Sequence, residues 1–139
     1  MLDAAGSFAS QHSVASLRRR AVAHHPSSSR PSPVPLDAIV SYIRSNLARR
    51  ITLDEIAGVA ELSVFQLVRA FRREWALTPY GLVLDMRIEH AKVLLAHGVS
   101  IADAAYGAGF SDQSHLTRHF RRRTGTTPKK FLAAIRPAR

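Results

Sequence analysis

Apolar residues recur with a helical period from Leu36 to the end of the chain. In the first such stretch they fall on one face of a helix, at Leu36, Ile39, Val40, Ile43 and Leu47. No stretch shows the alternation of apolar and polar residues that favours a strand. The pattern predicts seven helices, over residues 36–48, 53–60, 64–75, 79–97, 101–107, 112–124 and 128–136.

Start signals precede most of these helices. A hydroxyl residue can accept a hydrogen bond from the third helical N–H, and a Glu or Gln at that position can reach back to form a capping box. A proline at the first helical position loses no hydrogen bond. Such signals occur at Thr52 to Glu55, Ser63 to Gln66, Ser100 to Asp103, Thr78-Pro79 and Thr127-Pro128.

One pattern occurs twice, first over residues 51–87 and again over 99–136. The matching positions in the first copy recur 49 residues later, with the same residue type each time. They are Leu67, Arg69, Phe71, Arg72, Thr78, Pro79 and Arg87, matched by Leu116, Arg118, Phe120, Arg121, Thr127, Pro128 and Arg136. A doubled helical unit with equivalent arginines suggests two similar surfaces for a periodic, acidic partner such as DNA.

Each copy has the features of a helix-turn-helix, in which a short helix crosses a second one through a tight turn. Ala57 and Ala105 are small residues where the two helices would approach, and Gly109 suits a turn with positive φ. We therefore expect an all-α fold with helix-turn-helix units at about 51–76 and 100–125, joined by a long linker helix over 79–97.

The first copy departs from the second at two glycines. Glu61 stands where Gly109 stands, and Ala76 stands where Gly125 stands. If those backbones keep a positive φ, each non-glycine residue costs roughly 1 kcal/mol.

Residues 1–35 have a different character from the rest. They are basic and rich in Ser and Pro, and they sustain no apolar period. We predict a disordered arm or linker here, preceding a folded domain over 36–139. An organellar transit peptide is the alternative for this Arg/Ser-rich, acid-poor segment. So short an arm would hold no small-molecule effector domain.

Charge and composition restrict the classes of binding partner that the sequence favours. The 139-residue chain has a formal net charge of +10 and no cysteine. From Gln113 to Arg139 there are eight Lys or Arg and no acidic residue. The excess favours nucleic acid or an anionic membrane. No apolar run approaches the ~20 residues of a membrane span, and the absence of cysteine excludes thiol catalysis and thiolate metal sites.

The second helix of each unit divides into a buried and an outward face. In the first unit Val64, Leu67, Phe71 and Trp75 would be buried, which leaves Phe65, Val68, Arg69 and Arg72 away from the core. In the second unit Leu116 and Phe120 would be buried, which leaves an outward set that suits base edges: Gln113, Ser114, Thr117, Arg118 and Arg121.

The stretch from Ile101 to Arg122, with Gly125 and Thr127-Pro128 after it, resembles the signature of the AraC/XylS family of bacterial transcription regulators. The resemblance covers roughly residues 38–137. It implies a DNA-binding domain whose two recognition helices enter successive major grooves. The linker-helix residues that share the resemblance are Arg87, Ala91, Leu94 and Leu95.

The resemblance also implies roles for single residues. Base contacts would fall on Phe65, Val68, Arg69, Gln113, Ser114, Thr117 and Arg118, and phosphate contacts on Arg72, Arg121, Arg122 and Lys129. The implied protein is a cytoplasmic, nucleoid-associated regulator of double-stranded DNA with no cofactor and no enzymatic activity. It would activate transcription through RNA polymerase, with repression by occlusion as the alternative.

The sequence leaves other interpretations open. An anionic membrane would need an exposed apolar face, whereas the apolar faces here are matched for a core. An architectural or RNA-binding protein would read shape alone. His115 and His119 have the i, i+4 spacing of a metal pair, but no third ligand is evident and we expect no metal site. No catalytic constellation is evident either.

Overall fold

Seven α-helices occur within the described part of the chain. The computed structural model describes residues 34–136, so the expected arm lies outside the described residues except for Val34 and Pro35. No strand occurs within 34–136, and the all-α prediction is confirmed. The helices are α1 (Leu36–Ser45), α2 (Leu53–Ala60), α3 (Val64–Trp75), α4 (Pro79–Ala96), α5 (Ile101–Gly107), α6 (Gln113–Thr124) and α7 (Pro128–Ile135).

The helix starts agree with the sequence signals because side-chain caps are local. The capping box of Ser63 and Gln66 is complete, with both reciprocal hydrogen bonds formed. Thr52 accepts from the Glu55 N–H, and the Glu55 carboxylate also binds Arg49 at 2.6 Å. The side chains that accept from the third helical N–H of the remaining helices α4 to α7 are Thr78, Ser100, Asp112 and Thr127.

The end of α1 differs from the prediction. The apolar period extends to Leu47, but the helix ends at Ser45 and the chain turns through Asn46. The Asn46 amide donates to the Tyr42 carbonyl at 2.7 Å, and the Asn46 N–H donates to the Ile43 carbonyl. Leu47 stays buried although it lies outside the helix, so its apolar character marked burial and not helix length. Val34, before α1, is also buried.

Two hydrophobic cores lie on opposite sides of α4. The first is formed by α1, α2 and α3 and receives Leu82, Val83 and Met86 from α4. The second is formed by α5, α6 and α7 and receives Leu84 and Ile88 among others. Every residue from Gly81 to Ile88 is buried. The linker helix is therefore a structural element of both units.

The two turns keep the same backbone whether or not glycine is present. Glu61 and Gly109 both have positive φ, at 56° and 94°. Ala76 and Gly125 close α3 and α6 in the same way, at 52° and 79°. Glu61 and Ala76 therefore adopt the same left-handed conformation as the equivalent glycines of the second unit. Each of the two carries backbone strain.

We expect Ala76→Gly to raise the free energy of unfolding by about 0.5–1 kcal/mol. It removes roughly 1–2 kcal/mol of left-handed strain and adds roughly 0.4–1 kcal/mol of freedom to the unfolded chain. Urea denaturation measures the change. The control is Ala133→Gly, at an exposed site within α7, which should lower stability by about 0.5–1 kcal/mol. Equal destabilisation by both variants would contradict the strain at Ala76.

Candidate nucleic-acid interface

The outward face of α6 is a continuous polar and basic surface. Six side chains line one open groove along it: Gln113, Ser114, Thr117, Arg118, Arg121 and Arg122. Thr117 is half-buried and the other five are exposed. The structure thus brings together all four candidate base readers of this helix and two of the candidate phosphate contacts. A helix is narrow enough to enter a major groove ~12 Å wide with such a face in front.

The inner face of α6 fixes the helix against the rest of the unit. Leu116 and Phe120 are fully buried. Asp112 caps the helix through the His115 N–H, and His115 accepts a hydrogen bond from the Ser111 N–H at 3.1 Å through Nδ1. The ring of His115 packs edge-on against Phe110 at a centroid distance of 5.2 Å.

An ion pair attaches the end of α6 to α4. Arg123 donates to Oδ1 of Asp85 at 2.8 Å, and Asp85 is only 5% exposed. Within residues 34–136 the second carboxylate oxygen, Oδ2, has no hydrogen-bond partner. The sequence did not predict a role for either residue. Three consecutive arginines gave no sign that Arg123 turns inward while Arg121 and Arg122 stay exposed.

The outward face of α3 is more apolar. Phe65 is 71% exposed, the largest exposure among the bulky apolar residues of the described chain, and Val68 is half-buried beside it. Arg69 and Arg72 are exposed, while Leu67 and Phe71 are fully buried as predicted. Contact between the exposed Phe65 ring and an apolar partner would be favourable, because it removes apolar surface from water.

Arg69 also borders a second groove, along the neighbouring face of α3, which was not predicted from the sequence. Its lining includes Gln66 and Arg73, together with Leu62 and Ala70. The Gln66 side chain is engaged in the capping box, so it is held in place. The basic pair Arg72-Arg73 indicated a charged surface on α3, but the helical period alone did not show which face of the helix Arg73 occupies.

The four candidate phosphate contacts are exposed and stay available to an anion. They are Arg72, Arg121, Arg122 and Lys129. The ion pairs found within residues 34–136 involve other cations, namely Arg49, Lys92 and Arg123. The charge of the four is therefore not neutralised by those pairs.

His115 and His119 pack inside their unit. Their rings lie 4.8 Å apart, and His119 stacks on Phe110 at 6.1 Å. Burial, followed by the nearby His115 and basic charges, lowers the pKa of His119. No group of three potential metal ligands gathers within the described residues. None of the helices described is long and apolar enough to cross a membrane.

Comparison with known proteins agrees with this geometry. Residues 56–134 match the family model described as a helix-turn-helix domain. A crystal structure of an AraC-type transcriptional regulator from Chromobacterium violaceum superposes with a TM-score of 0.67 and 27% identity, over 73% of this chain and 93% of that one. The chain belongs to the AraC/XylS family. Its seven helices form the family's double helix-turn-helix DNA-binding domain.

The similar AraC/XylS proteins are described as transcription regulators. An uncharacterized HTH-type transcriptional regulator, YbfI of Bacillus subtilis, is 36% identical over 60% of this chain and 32% of its own length. The transcriptional activator RhaS of Escherichia coli is 30% identical over 68% of this chain and 34% of its own. The DNA-binding domain of AdpA, solved in complex with a target DNA, has a TM-score of 0.64 and 27% identity, over 73% of this chain and 92% of that one.

The chain spans about a third of the length of these curated AraC/XylS relatives. What it shares with them is the DNA-binding domain. The family comprises DNA-binding transcription regulators and not enzymes.

Burial raises the pKa of Asp85 to about 7, against the opposing effect of Arg123. Because this folded-state pKa lies above the ordinary 3.8, folding favours the protonated carboxyl. The contribution to stability is complete below pH 3.8 and is lost as the pH rises through about 7. We expect a carbon-13 titration of the Asp85 carboxyl to show a midpoint near 7.

The same titration on Asp85→Asn identifies the signal, since that variant has no carboxyl at the position. In Asp85→Asn the free energy of unfolding should also lose the decline that the unmodified protein shows between about pH 4 and 7. A midpoint below 4 would mean that the Arg123 charge outweighs burial.

Proposed function

We propose that this protein is a sequence-specific regulator of transcription that reads two successive major grooves with α3 and α6. The observation that supports it best is that α3 and α6 are equivalent helices, each with an exposed arginine, Arg69 or Arg118. Both helices pack in units that share α4. Two reading helices held on one rigid element match the periodicity of a duplex.

The outward face of α6 carries the chemistry for direct readout. Arginine bonds bidentately to guanine, and glutamine does the same to adenine, so Arg118 and Gln113 read a purine each. Ser114 donates or accepts, and the Thr117 methyl contacts a thymine methyl. All four line the same groove on the protein, which supports their acting on one short stretch of base pairs.

The outward face of α3 reads by apolar contact. Phe65 and Val68 meet thymine methyls, and Arg69 is the main polar reader. Arg72, Arg121, Arg122 and Lys129 bind phosphates and fix the register, without carrying sequence information. Their exposure supports this assignment.

The length of α4 suits this arrangement. Its 18 residues span about 27 Å at 1.5 Å per residue, and successive major grooves on one face are roughly 34 Å apart. The turns at each end of α4 supply the remaining distance.

The regulator acts as an activator through RNA polymerase, in the bacterial cytoplasm on the nucleoid. The printed description of RhaS as a transcriptional activator supports activation, and the bacterial sources of the relatives support the location.

Variants of single arginines test the reading assignments. Selection from random duplexes gives the preferred site, and Arg118→Ala should then cost about 1–3 kcal/mol and relax preference at one or two base pairs. Arg69→Ala should relax preference in the other half of the site. Arg122→Ala is the control, because a lost phosphate contact weakens all sequences about equally.

Uniform losses in all three variants would show that the arginines clamp phosphates, and the protein would then read shape alone. Loss of preference in one half only would show that a single unit reads DNA.

Salt dependence tests the number of phosphate contacts. With about 6–10 phosphates bound, affinity should fall by roughly 10³–10⁵ between 50 and 200 mM salt. Fluorescence anisotropy with a labelled duplex measures the slope. Arg122→Ala should reduce that slope by about one unit. A nearly flat response would remove DNA as the partner.

A further inference from the structure

The turn of the second unit contacts the first unit directly, if α1 and Leu47 are counted with the first unit because they share its core. Gly109, between α5 and α6, lies against the carbonyl of Leu47, just beyond the end of α1. A Cβ added at Gly109 would overlap the Leu47 carbonyl oxygen and lie 2.7 Å from Nε of Arg87. The two units therefore meet at a second place besides their shared α4.

Arg87 completes this contact. It is 5% exposed, and its Nε donates to the Leu47 carbonyl at 3.2 Å while Nη2 donates to the Arg49 carbonyl at 2.8 Å. Burial lowers the pKa of Arg87, and Tyr80 opposes the shift. Arg87 thus ties α4 to the chain segment after α1, at the point where Gly109 packs. We call Leu47, Arg87 and Gly109 the inter-unit junction.

The repeat shows that the turn itself does not require glycine. Glu61 occupies the same position in the first unit, with φ 56°. The backbone bond that closes the turn is the same in both units, from Leu62 N to Ala57 O at 3.0 Å and from Phe110 N to Ala105 O at 2.9 Å. What distinguishes Gly109 is its neighbour, because a side chain there would displace Leu47 and Arg87.

The equivalent arginine of the second unit contacts a different part of the fold. Arg136, equivalent to Arg87, donates to the Leu95 carbonyl at 3.4 Å, at the end of α4. Each arginine thus binds a carbonyl near the end of the helix that leads its own unit. Of the two, Arg87 is the one that also lies against the other unit, through Gly109.

We propose that the inter-unit junction fixes the angle between α3 and α6 and thereby selects the spacing of the two half-sites on DNA. The inference rests on the proposed reading by both units. Packing against α4 alone offers limited resistance to rotation of one unit about that helix. A contact away from the helix axis resists such rotation more strongly. Gly109 and Arg87 are positioning residues, and neither needs to touch DNA.

The test uses duplexes that carry the two half-sites with spacers changed by one base pair at a time. Simultaneous engagement of two linked sites gives an advantage of roughly 10²–10⁴-fold, which is lost when the geometry is wrong. The unmodified protein should show this advantage at one spacing. Gly109→Ala should lose most of it there, or move it to another spacing, while the affinity for each isolated half-site stays within about twofold.

Gly125→Ala is the matched control. Gly125 also has positive φ, its counterpart Ala76 tolerates a side chain, and a Cβ there meets nothing within 4 Å. This variant carries the backbone strain without the clash, so it should keep the spacing preference. Circular dichroism and thermal unfolding confirm that each variant is folded.

If Gly109→Ala does not fold, Arg87→Lys tests the inter-unit junction instead. Lysine keeps the charge but lacks the separate donor nitrogens with which Arg87 binds the two carbonyls, so the spacing preference should weaken, whereas Arg136→Lys should keep it. A spacing preference retained in folded Gly109→Ala or in Arg87→Lys overturns the junction and leaves two-groove reading intact. No spacing preference in the unmodified protein overturns both.

Discussion

Burial of the segment from Gly81 to Ile88 of α4 on all sides is the constraint on which the rest of the structure depends. The residues of this segment are all buried, and its apolar side chains are divided between the first core and the second core. Neither unit can move away from α4 without exposing apolar surface, at roughly 25 cal/mol for each Å². The relative placement of α3 and α6 is therefore maintained by the same free energy that folds each unit.

Two buried charges specify how α4 is oriented. Asp85 and Arg87 lie two positions apart, which is about 200° around a helix, and they bind partners in opposite units. Asp85 pairs with Arg123 of α6, and Arg87 binds the carbonyls beyond α1. Buried ions rarely add net stability, because desolvation costs as much as the pairing returns. A rotated α4 would leave both buried side chains without these hydrogen-bond partners, so the two contacts make that orientation unfavourable.

The sequence predicted what local chemistry determines. Caps such as Ser63 and Thr78 set helix starts within one residue, and helical periodicity identified Leu67 and Leu116 as core. It did not predict the role of Asp85, because the partner of that carboxyl is 38 residues away and no period links them. It also flagged Glu61 as a departure. The structure accounts for it through the neighbours of Gly109, which only the packing of two units reveals.

The repeat separates scaffold from readout. At the two positions that are fully buried in both α3 and α6 the copies agree, Leu67 with Leu116 and Phe71 with Phe120. At outward positions they differ, since Phe65 corresponds to Ser114 and Val68 to Thr117, while the arginines are kept. Packing constrains the first set and leaves the second free to vary. Under the proposed function the two half-sites therefore have different sequences. The whole site then has a direction on the duplex, and one chain alone orients itself on it without the two-fold symmetry that a dimer imposes on a palindrome.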